Sequence, residues 1–137
     1  LLNGSHADRS DGVCALELVA FLADEPHSDH PKCVSSVIGS YVRSLNDSWD
    51  DEQRQKLKPY LPRIIGTTDL RKEELRSRLV GDWLIREYLP AWLDLAGIRD
   101  EADRIRALPP ILTTEALIQA MPSLESARKK SCHRKPK

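Results

Sequence analysis

Apolar residues repeat along this chain at spacings of three and four, and no stretch alternates with a period of two for long enough to form a β-strand. The cleanest stripe runs from Val34 to Leu45, where the apolar positions follow one face of a helix. Shorter stripes predict further helices over about 12–23, 50–65, 69–96, 99–108 and 113–121. The pattern therefore predicts an all-α fold, a single-domain bundle of five or six helices.

Proline decides where these helices begin and bend. The chain has nine prolines, and proline inside a helix removes a hydrogen bond and clashes with the preceding turn. Pro31 suits the first position of the second helix, with Asp29 or His30 as its cap. Pro59 and Pro62 are expected to kink the third helix, and Pro90 interrupts the fourth. The bundle is therefore predicted to contain several proline-kinked members.

Length and charge leave few special classes open. The chain has 137 residues, which fits one domain, and its 21 basic and 21 acidic residues give no net charge. No apolar run approaches the roughly 18 residues that a membrane span needs. Three cysteines are an odd and sparse set for a disulfide scaffold, so we expect reduced thiols and a cytoplasmic protein.

The two ends of the chain differ from its middle. Residues 1–10 are polar and are predicted to be a flexible segment, followed by a helical domain over 11–122. Residues 123–137 form a predicted basic tail, with six Lys or Arg and no acid after residue 125. Its members Arg128, Lys129 and Lys130 suggest nucleic-acid association as one alternative function, because lysine and arginine neutralise phosphates. A solubilising end is the plainer alternative.

A second chemical signal is the stretch from His27 to Cys33, which reads His-Ser-Asp-His-Pro-Lys-Cys. Imidazole and thiolate are the ligands that zinc and iron prefer, and short spacings often pair them. His27, His30 and Cys33 with Cys14 therefore form a candidate metal site. The preferred expectation is no cofactor, with zinc or iron as the alternative.

The same cluster allows two other interpretations. Cys14 and Cys33 fall near predicted helix starts, where the helix dipole stabilises a thiolate, so a reactive cysteine is one of them. His30 would then act as the base for Cys33, with Asp29 orienting an imidazole. The plainer interpretation is a capped loop between helices, with both cysteines in the core.

Nearly all the aromatic content lies in three tryptophans and three tyrosines, namely Trp49, Trp83, Trp92, Tyr41, Tyr60 and Tyr88. Among them, Trp83, Tyr88 and Trp92 lie at near-helical spacing. A wall for stacking a ligand is one interpretation. Core anchoring is favoured, because large rings fill a small core with few side chains.

Two stretches, Val13–Cys33 and Gly81–Leu93, resemble a group of small all-helical proteins from actinobacteria and their phages. They cover about a quarter of the chain. No activity is known for that group, so the resemblance implies a bacterial or phage origin and assigns no role to any residue.

These observations favour a non-enzymatic helical module that binds another macromolecule, most simply a protein. No association with a membrane is expected. The expected contact surface is the polar loop 24–33, with Asp29 and His30 as binding residues and Glu17 beside them. The first alternative is a metal- or thiol-dependent activity at Cys14, His27, His30 and Cys33. Nucleic-acid association through the tail is the second.

Overall fold

The structure is a computed structural model that describes residues 1–132, and all regular secondary structure in that range is helical. This confirms the predicted all-α class. The α-helices in chain order are α1 (Ala15–Leu22), α2 (Ser36–Ser48), α3 (Asp51–Gln55), α4 (Leu61–Ile64), α5 (Leu70–Trp83), α6 (Leu89–Leu95), α7 (Arg99–Arg106) and α8 (Thr114–Cys132). Two short 3₁₀ turns cover Arg9–Asp11 and Lys58–Tyr60, and a π-helical segment covers Leu84–Tyr88.

Residue contacts divide the chain into two compact units, Leu1–Glu73 and the part from Glu74 onward. Each unit has its own apolar core. The first core gathers around α1, and the second gathers around α6, α7 and α8.

Helix α1 is the centre of the first unit. Its sequence, Ala-Leu-Glu-Leu-Val-Ala-Phe-Leu, is apolar nearly all round, and such a helix is stable only when most of its surface is covered. Leu16, Val19 and Ala20 are fully buried. The same core contains Val34 from the loop before α2, Val42 from α2, Leu57 from the segment before α4, and Leu61 at the start of α4.

Buried polar side chains join the elements of this unit. Asn46 on α2 accepts a hydrogen bond from the Ala15 N–H (3.0 Å) and donates to the Leu2 carbonyl (3.0 Å). Arg54 donates to the carbonyls of Asn46 (2.6 Å) and Trp49 (2.7 Å). These bonds satisfy carbonyls near the end of α2, which would otherwise lack partners.

The N-terminal segment, predicted to be flexible over residues 1–10, makes several hydrogen bonds to the rest of the first unit. The Leu1 nitrogen donates to Gln55 Oε1 (2.7 Å), and the Leu2 N–H donates to the Val13 carbonyl (2.9 Å). The His6 N–H donates to Glu17 (2.6 Å). The polar groups of this segment thus bond to other parts of the protein. Composition alone does not show whether polar groups bond to the protein or to water.

The second helix begins five residues later than predicted. Ser35, rather than Asp29 or His30, is its N-cap, and Ser35 Oγ accepts from the Ile38 N–H (3.4 Å). The Glu73 carboxylate accepts from Ser35 Oγ (3.0 Å) and from the Val37 N–H (3.2 Å). A carboxylate at this end of the helix also matches the positive pole of its dipole.

Helices α5 and α6 continue through the π-helical segment without a break in helical geometry. The Leu89 N–H bonds to the Leu84 carbonyl, which is five residues back rather than four. Pro90 explains this departure, because its ring lacks an N–H and crowds the turn before it. The interruption predicted at Pro90 takes the form of one wider helical turn.

The second unit closes around Leu93, Ile98, Ala102 and Ile105. Helix α8 runs from Thr114 to Cys132 with Pro122 inside it, so it extends past the predicted end at residue 121. Its late residue Ala127 is part of this core. Residues 123–132 of the predicted basic tail are therefore helical, and residues 133–137 lie outside the described part of the chain.

Within residues 1–132, every helix is too short or too polar to cross a lipid bilayer.

Candidate functional site

The most unusual surface of the protein lies along α5 and α6. Helix α5 buries none of its fourteen residues, although it carries Leu75 and Leu79. Together with Trp83, Tyr88, Trp92 and Leu95 they form the aromatic face, defined by these six exposed apolar side chains. Globular proteins rarely leave so many large apolar groups in water on one helix unless something covers them.

The three rings of the aromatic face stand in a row and remain open to solvent. Trp83 is 42% exposed, Tyr88 45% and Trp92 55%. The centroids of Trp83 and Tyr88 are 5.5 Å apart, and those of Tyr88 and Trp92 are 6.1 Å apart with the rings edge to face. These separations are typical of favourable aromatic pairs, so the rings hold one another in place.

The π-helical segment puts these rings in line. In an uninterrupted α-helix, the residue four positions after Trp83 would follow it on the same face, and that residue is Glu87. The wider turn adds one residue, so the five-residue step from Trp83 to Tyr88 acts as one turn. Normal spacing then carries the row from Tyr88 to Trp92. Such wide turns often occur at functional positions.

The predicted core-anchoring role holds for Trp49, which packs against the first core, but it is wrong for Trp83, Tyr88 and Trp92, since all three are exposed. The core of the second unit is instead filled by aliphatic residues from α6, α7 and α8. Helical spacing identifies the shared face of a helix, but it does not reveal whether another part of the chain covers that face.

The size of the aromatic face fits a protein contact. Its six residues are between 42% and 81% exposed, so covering what they still expose would remove on the order of 700 Å² from water. A standard interface removes about 800 Å² from each partner. Tryptophan and tyrosine are also the residues that contribute most to binding energy at such contacts.

The predicted His/Cys cluster separates into different local structures. Cys14 is the N-cap of α1, where its sulfur accepts from the Glu17 N–H (3.4 Å) and the Glu17 carboxylate accepts from the Cys14 N–H (2.7 Å). This is a capping box with cysteine in the place of serine. Cys14 and Glu17 therefore begin a helix, a role that was not predicted for either residue.

Two histidines lie beside the buried Glu17. His6 Nδ1 is 2.9 Å from Glu17 Oε2, and His27 Nε2 is 3.0 Å from the His6 carbonyl. Burial opposes ionisation of Glu17, but the N–H groups of Cys14 and His6 and the His6 ring outweigh it and lower its pKa. His6 was not predicted as a partner of Glu17, because it lies in a segment whose polar composition is typical of a flexible end.

The loop 24–33 is held mainly by its own hydrogen bonds. Glu25 accepts from the N–H groups of Lys32 (2.6 Å) and Cys33 (2.8 Å). Asp29 pairs with His30 Nδ1 (2.7 Å), and the His30 side chain is 67% exposed whereas that of Asp29 is 30% exposed. Most of the side chains expected to contact a partner therefore stabilise the loop instead.

The two cysteines of the cluster are poorly suited to act as nucleophiles. Burial raises the pKa of the Cys14 thiol to about 11. Burial also raises the pKa of Cys33, and the Glu25 carboxylate adds to the effect. Because α2 begins at Ser36, Cys33 does not lie in the first turn that was expected to stabilise its thiolate. Both thiols are protonated at neutral pH.

The four predicted metal ligands do not converge. Cys14 caps α1, His27 contacts the N-terminal segment, His30 pairs with Asp29, and Cys33 adjoins Glu25. Across residues 1–132, no group of three or more His, Cys, Asp or Glu side chains is placed to hold a metal ion. The geometry gives the zinc or iron alternative no support, and it stays a prediction of the sequence.

The basic residues near the C-terminus also take part in the fold. Lys130 forms an ion pair with the buried Glu101 of α7, and this contact lowers the pKa of Glu101. Arg104 pairs with the same carboxylate (2.9 Å). Arg128, Lys129 and Lys130 are all exposed on α8, so the three predicted phosphate-binding side chains lie on the surface, although Lys130 is also engaged by Glu101.

Among the features of the described chain, the aromatic face is the strongest candidate for a functional site. Its residues were visible in the sequence, but the pattern favoured a buried role. No known protein family, curated protein or solved structure matches this chain, so the aromatic face and the local geometry carry the functional argument.

Proposed function

We propose that this chain is a non-enzymatic helical module that binds another protein through the aromatic face. The observation that carries the proposal is the row of exposed rings at Trp83, Tyr88 and Trp92, on a helix whose first half buries no residue. Aromatic side chains that are ordered before binding lose little conformational freedom when a partner covers them.

The aromatic face replaces loop 24–33 as the preferred contact surface. Within the loop, Glu25 accepts a hydrogen bond from the backbone N–H of Lys32. Arg43 of α2 donates to the Asp29 carbonyl (2.9 Å), so these groups stabilise the loop. The aromatic face has no comparable internal task, because its side chains already lie outside both cores. Exposure of this kind favours association over catalysis, since it provides a large apolar surface.

Photo-crosslinking in cells of the organism that produces this protein tests the proposal. A benzophenone amino acid replaces Trp92, and in a matched control it replaces Tyr60, which is exposed outside the aromatic face. We expect a discrete crosslinked protein from position 92 and none from position 60. Equal crosslinking at both positions, or none at position 92, would contradict the proposal.

A further inference from the structure

The spacing of the aromatic face is symmetric about Trp83. Leu79 lies one turn before Trp83 and Tyr88 lies one turn after it, while Leu75 and Trp92 lie two turns away on either side. The π-helical segment is what makes the second half match the first, because its wide turn advances along the axis by about one α-helical turn. The spacing of the apolar side chains is therefore nearly the same in either direction from Trp83, although one arm carries leucines and the other carries rings.

Charge along this helix has the opposite symmetry. Residues 69–80 contain four basic and three acidic side chains, with Asp69 paired to Arg71 and Lys72, and residues 81–95 contain one basic and three acidic side chains. Lys72 on the first half and Glu87 on the second are both exposed. Two copies placed antiparallel set the basic half of one against the acidic half of the other, whereas a parallel pair opposes like charges.

We infer that the occupant of the aromatic face is a second copy of this chain, paired antiparallel about a twofold axis at Trp83. This inference rests on the proposed function and names its partner. In that arrangement Leu79 of one copy lies opposite Tyr88 of the other, and Leu75 lies opposite Trp92. Each contact then joins an aliphatic side chain to a ring, and the contact repeats itself across the axis.

Surface area and net charge agree with this occupant. The aromatic face offers on the order of 700 Å² per copy, close to the amount that one side of a standard interface covers. The chain has no net charge, so copies do not repel one another over long distances.

Sedimentation equilibrium of the purified chain tests self-pairing. We expect a reversible dimer with a Kd below about 100 µM. In the Leu79→Ser variant, this Kd should rise at least about tenfold. The matched control is Leu70→Ser, on the same helix, 86% exposed and outside the aromatic face, which leaves the Kd unchanged. Equal weakening by both variants would overturn the inference.

Disulfide trapping tests the direction of pairing. In a Cys132→Ser background, Leu79→Cys and Tyr88→Cys are prepared as separate proteins and oxidised mildly, alone and as a mixture. Antiparallel pairing predicts crosslinked dimers in the mixture and few in either protein alone. Crosslinking of each protein with itself would show parallel pairing and overturn the inference.

The two proposals fail separately. A chain that stays monomeric above about 100 µM overturns self-pairing. If position 92 then crosslinks to a different protein in cells, the proposed function stands with another partner. If position 92 crosslinks to nothing, both proposals fall.

Discussion

Helix α1 buries five of its eight residues, whereas α5 is longer and buries none of its fourteen. Side chains cover α1 nearly all round, so packing holds it. Helix α5 is supported by ion pairs between its own turns, such as Arg78 with Glu74 (2.6 Å). Asp69, the residue before the helix, accepts a hydrogen bond from the N–H of Arg71 in the first turn. Helix formation and burial are thus separate properties here: α1 serves the stability of the fold, and α5 presents a surface.

Truncating one leucine on each helix should separate the two roles most clearly. Leu16→Ala removes a fully buried side chain and leaves a cavity, so we expect a loss of about 3–4 kcal/mol in the free energy of unfolding. Leu79→Ala on the exposed face should change it by less than about 0.5 kcal/mol. Urea unfolding of dilute protein, followed by circular dichroism, measures both. Similar losses from both variants would contradict the contrast.

Removing the charge of Glu17 tests the polar end of α1. The carboxylate accepts from two backbone N–H groups, and glutamine can satisfy them only in part, so Glu17→Gln should cost about 2 kcal/mol at pH 7. The exposed Glu52→Gln is the control and should change little.

The same variant makes a prediction about pH. Because the pKa of Glu17 is lowered in the folded state, the stability from its charge is fully present above the ordinary value of 4.5. That stability is lost as the pH falls through the folded-state pKa. The difference between wild type and Glu17→Gln should therefore shrink in acid, and a constant difference from pH 7 to about pH 3 would show that the charge is unimportant.

Gly12, just before α1, should be intolerant of a side chain. Its φ of +108° is rarely adopted by other residues, and an added Cβ would lie 2.2 Å from Leu2 Cδ1. We expect Gly12→Ala to cost about 1–2 kcal/mol in thermal unfolding. Gly4→Ala shares the left-handed backbone but has open space around it, so it isolates the backbone cost and should be milder.

Gly81 on α5 should show the smallest effect, with the opposite sign. An added Cβ meets no atom within 4 Å, and alanine favours helix over glycine. Gly81→Ala should stabilise the chain by about 0.5–1 kcal/mol and raise its Tm. A loss of stability would mean that α5 is more closely packed than its exposure indicates.

Much of the helical organisation could be predicted from the sequence, because apolar spacing reports which residues share a helix face. The prediction was less successful where a polar side chain decides a boundary. Pro31 was a reasonable helix start, but the Ser35 hydroxyl and the distant Glu73 carboxylate together favour a later one. Contacts between residues so far apart in sequence leave no local signal.

The candidate site was harder to predict for the same reason. Trp83, Tyr88 and Trp92 were recognised as a group, but a single sequence does not show whether a helix face meets another element. The five-residue step between the first two rings was a signal in its own right, since it fits a π turn next to Pro90. The partnership of His6 with Glu17 had no pattern that could have revealed it.

The cysteines give the molecule a built-in set of reporters. Cys14 is buried, Cys33 is partly covered and Cys132 is exposed. A thiol reagent should modify Cys132 at once, but it can reach Cys14 only when the start of α1 opens. The labelling rate of Cys14 therefore measures how often this part of the fold opens under native conditions, without denaturant and without any introduced probe.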